Sequence, residues 1–333
     1  MESKIYRVAL VGCGVVSRNH IKAILKVPNV RLVALCDNVP EKAIALKENL
    51  SLDVDIYDNY EAMLDAVKPD SVHIATPHHL HCSMAKAALE RDIEVFLEKP
   101  VCITVDDVNT LIEAEKASKA SVCVCFQNRF VSAVSDAMRI IDEDGGVLSA
   151  YCSLFWKRDE EYYNSASWRG KYATEGGGVM INQAIHTIDL LTRFLGIPKS
   201  VIATKSNHHL KNVIEVEDSC EGIIYFENGK SANFYATTSS VGADDALIVL
   251  KTRNHTIDLR LPNITVDGVM TNYSADTHVI GKACYGNGHQ LLIAHYYHAL
   301  EMGKPSPVPI ESAQYALRIV LAAYKSNDKE ILV

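Results

Sequence analysis

The sequence predicts an α/β protein of two domains: a doubly wound parallel sheet over residues 1–127, then an α+β domain with a mostly antiparallel sheet over 128–333. Three observations predict it. Strand-like and helix-like runs alternate through the first third of the chain. Hairpin-type turns join strand-like runs through the second half. A length of 333 residues exceeds what one hydrophobic core usually serves.

The elements follow in order. Ile5 to Val11 is an apolar run of strand length, followed by a glycine turn and a helical pattern. In that turn Gly12-Cys13-Gly14-Val15-Val16-Ser17 matches the dinucleotide fingerprint G-x-G-x-x-G except at its last position. The first glycine permits the tight turn, and the second lets backbone approach a pyrophosphate. The helix behind them offers its N-terminal N–H groups. Alone, the turn is as readily ligand-free. Its context adds weight, because Val30 to Cys36 is a second strand closed by Asp37, about 25 residues after Gly12. A carboxylate there accepts hydrogen bonds from ribose hydroxyls and repels a 2′-phosphate, so NAD is favoured and NADP stays open.

"YEAMLDAVKPD" is a short helix stopped by Pro69. Ser71 to Ala75 is a strand, "TPHHLH" a loop, His81 to Arg91 a helix, and Ile93 to Leu97 a strand ending in Glu98-Lys99-Pro100. Thr104-x-x-Asp107 opens another helix in capping-box fashion, and Ser121 to Gln127 closes the series as a strand. Such sheets bind ligands beyond the carboxyl ends of their strands. The expected cofactor contacts are therefore Gly12, Gly14, Val15, Val16, Asp37, Thr76, Pro77, His81, Glu98, Lys99 and Asn128.

After Asn128 the pattern changes. Residues 131–142 are helical and Val147 to Trp156 is a strand. A polar, aromatic loop then leads to the helix of "EGGGVMINQAIHTIDLL". Strands follow at Val201 to Lys205, Cys220 to Phe226, Ser231 to Thr238, Ala246 to Lys251 and Thr256 to Leu261, with "ENGK" as the clearest hairpin turn. Helices return at 288–302 and 311–325, and the last is expected to pack back on the nucleotide-binding domain.

Composition excludes several classes. A net charge of −8 without a basic cluster argues against nucleic-acid binding. No uncharged apolar run spans a bilayer, and Arg7 within the first apolar segment argues for a buried strand over a signal peptide. Nine cysteines at irregular spacing fit a reduced cytoplasmic protein. His78, His79 and His81 lack a carboxylate or thiolate partner at useful spacing, so no metal is expected.

"VALVGCGVVSRNHIKAI", "ATPHHLHCSMAKAAL", "VFLEKP" and "EGGGVMINQAIHTIDLL", in this order, resemble the glucose–fructose oxidoreductase, inositol 2-dehydrogenase and rhizopine-catabolism (Gfo/Idh/MocA) family along essentially the whole chain. The resemblance implies an N-terminal Rossmann domain and a C-terminal domain whose open sheet makes homodimer or homotetramer contacts. It implies NAD(P)-dependent oxidation or reduction of a sugar, polyol or inositol, Lys99 and His186 as the catalytic pair, and a cis Pro100. One position departs: inositol dehydrogenase-like members carry Asp where this chain has Asn182, and some members acting on nucleotide-linked sugars carry Asn. A nucleotide-sugar dehydrogenase is therefore an alternative. A non-catalytic dinucleotide sensor, like a family member that represses galactose genes, is another, against which the presence of Lys99 and His186 argues.

The residues support the same chemistry. On a helix Asn182 and His186 are i,i+4 and Asp189 follows at i+3, all on one face. His186 is the expected general acid/base. Lys99 stabilises alkoxide character. Asn182 orients substrate or imidazole, and Asp189 is either a partner for His186 or an ordinary helix carboxylate. Tyr162, Tyr163, Trp168 and Arg169 suit a sugar pocket, with Trp168 equally suited to packing. Expected substrate contacts are Lys99, Tyr163, Trp168, Arg169, Asn182 and His186. Asn128 and Arg129 either contact ligand or join the domains.

Overall fold

A computed structural model describes residues 4–271 and 286–333. The chain opens on β1 (Tyr6–Val11), α1 (Ser17–Ile24), β2 (Val30–Cys36), α2 (Pro40–Asn49), β3 (Asp55–Tyr57), α3 (Tyr60–Val67), β4 (Ser71–Ile74), α4 (His81–Leu89), β5 (Glu94–Leu97), α5 (Val105–Ala117) and β6 (Val122–Val124). The six strands form one parallel sheet in the order β3-β2-β1-β4-β5-β6. Central β1 is buried except at Arg7, as expected of a strand covered on both faces. Local chemistry ends the helices where the sequence said. Asn59 caps α3 by accepting from Ala62 N at 2.9 Å, and Lys68 ends it in the left-handed region just before Pro69. Thr104 Oγ1 caps α5 by accepting from Asp107 N at 3.1 Å. β6 is shorter than Ser121 to Gln127 because Gln127–Phe130 coils into a 3-10 turn.

The second stretch runs α6 (Ser132–Glu143), β7 (Ser149–Phe155), α7 (Glu160–Asn164), α8 (Ile185–Leu195), β8 (Pro198–Ser206), β9 (Ser219–Phe226), β10 (Ser231–Thr237), β11 (Asp245–Lys251), β12 (Thr256–Arg260), β13 (Asn263–Val266) and β14 (Val269–Met270). Then come α9 (Gly288–Glu301), α10 (Ile310–Ser326) and β15 (Ile331–Leu332). A nine-stranded sheet, β14-β13-β12-β11-β7-β10-β9-β8-β15, is antiparallel throughout except between β7 and β10. The "ENGK" turn closes β9 on β10, with Gly229 at φ +80°. α6 and α8 lie against the sheet. Its other face leaves Tyr151, Phe155 and Tyr235 exposed.

Two compact units result. One takes the chain through Gln127 and recovers Asn287–Ala313. The other begins at Asn128 and ends with Gln314–Val333. The first unit thus takes α9 and the opening residues of α10, Ile310–Ala313, while the rest of α10 belongs to the second. The reason lies in their buried polar groups. Tyr296 and Tyr297 of α9 bring their hydroxyls to Ser71 Oγ (3.1 Å) and His73 Nε2 (2.8 Å) of β4. Late in α10, the Tyr324 hydroxyl donates to Glu217 Oε1 (2.7 Å) and Ser326 Oγ accepts from Ala203 N (2.8 Å), both in the second unit.

Candidate active site

At the carboxyl edge of the parallel sheet, Gly12 has φ +91°, and a Cβ there would overlap the carbonyl of Ala75 as β4 ends beside it. Glycine is therefore demanded by the fold. Gly14 differs: its Cβ would meet no protein atom within 4 Å, so the space beside it is open to a ligand. Val15 is 90% exposed, and half-buried Val16 leads into α1. Ser17, the departure from the fingerprint, is fully buried and donates its hydroxyl proton to Gly14 O at 2.5 Å, tying the turn down. Asp37 accepts from Cys13 N (2.8 Å, Oδ2) and Val39 N (2.9 Å, Oδ1), so the acid also braces the glycine turn while keeping acceptor capacity for ribose hydroxyls. Thr76 Oγ1 is buried without a hydrogen-bond partner, on the same edge. An open glycine cradle before a helix N-terminus, an acid after β2 and an unsatisfied hydroxyl fit a dinucleotide.

His81 was expected to touch cofactor, and the structure gives it another task. It is fully buried, with Nδ1 2.7 Å from Pro100 O and Nε2 3.0 Å from Thr76 O. Burial pushes its pKa down, against the pull of those carbonyls. It braces the loop that carries Thr76 and Pro77 against the Lys99–Pro100 turn, whose peptide bond is cis. Lys99 is half-buried there. Glu98 is almost fully buried, with Oε1 2.9 Å from His20 Nε2 and Oε2 accepting from Lys99 N at 3.2 Å. Burial pushes its carboxyl up, yet the hydrogen bond and charge of His20, with His289 and Lys99, outweigh this and hold it well below the usual carboxylate range.

In the second unit the glycines before α8 admit a buried acid. A Cβ at Gly178 would overlap Glu217 O, and one at Gly177 would overlap the Tyr324 hydroxyl. Glu217 accepts from Gly178 N (2.9 Å) and Met180 N (3.0 Å), capping the helix start. Met180–Ala184 is then wound as a π turn before α8 begins. The i→i+5 turn takes Asn182 out of the i,i+4 spacing expected with His186, whereas His186 and Asp189 both lie within α8. Gln183, His186, Thr187 and Leu190 line a cavity with Asn128, Trp156, Asp244 and Arg260. Asn182 instead donates to Glu175 Oε1 and, at 3.3 Å, to the Tyr162 hydroxyl. Asp189 meets Arg129 through two hydrogen bonds, 2.8 and 2.6 Å, both side chains buried. Burial raises the Asp189 pKa and Arg129 offsets that only in part.

The tyrosine pair also divides differently. Tyr163, expected at substrate, is 4% exposed and packs with Leu210, Ile214 and Val216. Its neighbour Tyr162 receives hydrogen bonds from Arg169 Nη1, Asn182 Nδ2 and Gln183 Nε2. Arg169 lies over the rings of Tyr162 (4.3 Å) and Trp168 (4.7 Å), so its guanidinium is part of this cluster. Gln183 and Asn128 each keep a buried carboxamide oxygen without a hydrogen-bond partner. Sequence reasoning missed Gln183, which the 183/186/187/190 stripe would have found. It also missed Glu217, remote in the chain and without a local signal.

Comparison with known proteins agrees with this geometry. Residues 6–126 match the oxidoreductase family NAD-binding Rossmann domain, and residues 137–255 match the GFO/IDH/MocA C-terminal domain. D-glucoside 3-dehydrogenase of Escherichia coli (strain K12) is 26% identical over 249 residues, 69% of each chain. The WlbA dehydrogenase of Bordetella pertussis, solved with NADH and UDP-GlcNAcA, superposes with a TM-score of 0.89 at 26% identity, covering 100% of this chain and 99% of that one. Levoglucosan dehydrogenase, solved with NADH and levoglucosan, shares the fold at 22% identity and a TM-score of 0.85, covering 98% of this chain and 99% of that one. With a glycine cradle and an acid placed for a dinucleotide, and with both domain types matched, the chain belongs to the GFO/IDH/MocA oxidoreductase family and is an NAD-dependent oxidoreductase.

Proposed function

We propose that this protein transfers hydride between NAD and a secondary alcohol or ketone of a free sugar, polyol or inositol, with NADP as a lesser cofactor. The observation that carries the reading is the cavity of the second unit, where His186 stands beside the unpartnered carboxamide oxygens of Gln183 and Asn128. A titratable ring beside hydroxyl acceptors suits a polyhydroxylated ligand. Gly12, Gly14, Val15, Val16, Asp37, Thr76 and Pro77 would hold the dinucleotide, whose nicotinamide supplies the hydride acceptor or donor when bound. His186 takes the hydroxyl proton through a ring nitrogen as the carbonyl forms. Lys99 Nζ donates to the same substrate oxygen and lowers the cost of alkoxide character. Asn182, held by Glu175 and Tyr162 beside the cavity rather than in its lining, orients substrate together with Trp168 and Arg169.

A second reading is a nucleotide-linked sugar substrate. Asn182 in place of Asp and full-length similarity to a dehydrogenase solved with UDP-GlcNAcA support it. Both are tested by turnover of cofactor-stripped protein with NAD against inositols, aldoses, sugar acids and UDP-sugars, read by nicotinamide absorbance. Reduction with free sugars or polyols is expected. Reduction with UDP-sugars alone would replace the first reading by the second, and binding of NADH without any turnover would favour a sensor.

No helix among the described residues is long and apolar enough to cross a membrane. We also place the protein in the cytoplasm, which the free state of every described cysteine supports. We further propose a homodimer or homotetramer formed through the exposed sheet face, where Phe155 and Tyr235 lie 5.4 Å apart between ring centres.

A further inference from the structure

Behind the Lys99 turn lies a buried polar network that the proposed reaction does not use. His20, fully buried on α1, places Nε2 2.9 Å from Glu98 Oε1 and Nδ1 3.0 Å from His73 Nδ1 on β4. His73 Nε2 continues to the Tyr297 hydroxyl of α9 at 2.8 Å. The other oxygen of Glu98 accepts the backbone N–H of Lys99 at 3.2 Å. One carboxylate thus joins the first helix after the glycine turn to the residue that stabilises the alkoxide. Polar groups are costly to bury, and this unit buries a carboxylate with three imidazoles: His20 at 2.9 Å from Glu98, His73 at 3.0 Å from His20, and His289 at 4.0 Å from Glu98. Apolar residues would have filled the same core.

We infer that Glu98, held by His20, is a positioning residue for Lys99: its hydrogen bond to the Lys99 N–H fixes the turn, and its carboxylate sets a negative charge beside the lysine. The inference rests on the role given to Lys99 above. The charged and titratable groups facing Glu98 are His20 of α1, His289 of α9, Cys125 after β6, His73 of β4, and Lys99 itself, with His81 of α4 next to the same turn. Burial foremost, then the negative charge of Glu98, raises the Cys125 thiol pKa, and burial lowers His289 to about 4 and His73 well below its ordinary value. None of these three supplies a positive charge at neutral pH. Beside the His20 ring at 2.9 Å, Lys99 is then the cationic neighbour that the turn itself brings to the carboxylate, in a region where charges interact strongly. The donor atoms of His20, Glu98, Cys125 and His289 lie within 4.8 Å of one another, a spacing an ion could also bridge. The direct His20–Glu98 hydrogen bond accounts for the closest pair without one.

The test is acetic anhydride labelling of Lys99 across pH, followed by mass spectrometry, in wild type, Glu98→Gln and Tyr297→Phe, with the pH profile of kcat alongside. In Glu98→Gln the half-labelling pH of Lys99 and the alkaline limb of kcat should both fall by on the order of one unit. Tyr297→Phe removes only the outermost hydrogen bond and should leave both in place. His20→Asn keeps the carboxylate but removes the ring that holds it, and should lower kcat on the order of tenfold without weakening NADH binding. It also carries the test if Glu98→Gln fails to fold. Wild-type labelling in Glu98→Gln, wild-type kcat in His20→Asn, or one equivalent of tightly held metal in the purified protein would overturn the inference. If Lys99→Ala itself keeps full turnover, the reading of Lys99 fails first, and the two failures are told apart.

Discussion

Two glycines of one turn have separable duties. Gly12 is required by the protein, since its positive φ and the passing Ala75 carbonyl leave no room for a side chain. Gly14 is required by nothing in the protein within 4 Å. Gly12→Ala should therefore destabilise the chain by about 1–3 kcal/mol, the usual range for overpacking. Gly14→Ala should leave thermal stability unchanged and weaken NADH binding on the order of tenfold or more, because its methyl enters the space a pyrophosphate would use. Calorimetry and NADH fluorescence titration distinguish them. A Gly14→Ala protein that binds NADH normally would remove the cradle assignment. The same turn was legible from its spacing, and at its one departure the Ser17 hydroxyl ties back to Gly14 O. The Tyr162–Tyr163 pair was not legible. Adjacent residues of one type differ only in which side of α7 meets Leu210 and Ile214, and that is decided some fifty residues later.

At the scale of elements, the start of α8 depends on an acid from a distant loop. Glu217 receives the N–H groups of Gly178 and Met180 and the Tyr324 hydroxyl, but burial dominates and raises its pKa to about 7. The native state then holds a proton that the unfolded chain, near 4.5, has released. Stability from this group is fully present below pH 4.5 and is lost as the pH rises through 7. The melting temperature should fall between pH 5 and pH 8, and Glu217→Gln should flatten that part of the profile. An unchanged profile in the variant would show that Glu217 is ionised throughout. The apolar strands β1, β2, β4 and β5 could be read from the sequence because strands covered on both faces are nearly continuous in hydrophobicity. β3, β13, β14 and β15, of two to four residues, carry too little pattern. The π turn was invisible because helical face analysis assumes i→i+4 spacing, and it displaced Asn182 from the cavity stripe that includes His186.

For the whole molecule, the nine-stranded sheet covers one face with helices and leaves aromatic residues on the other. Exposed aromatic clusters of this kind commonly mark association surfaces. Sedimentation equilibrium should give a dimer or tetramer, and Tyr235→Glu should shift it toward monomer. A monomeric wild type would exclude this surface as an assembly face. The order of the domains was readable from the change of periodicity after Asn128, but the return of α9 to the first unit was not, because it rests on buried tyrosine hydroxyls meeting β4. The most direct measurement for the central claim is single-turnover nicotinamide reduction by cofactor-stripped wild type, Lys99→Ala and His186→Ala with the best substrate of the panel, beside NADH affinity for each. The account predicts rates on the order of a hundredfold or more lower in both variants, with NADH affinity retained. A wild-type rate in either variant would contradict it.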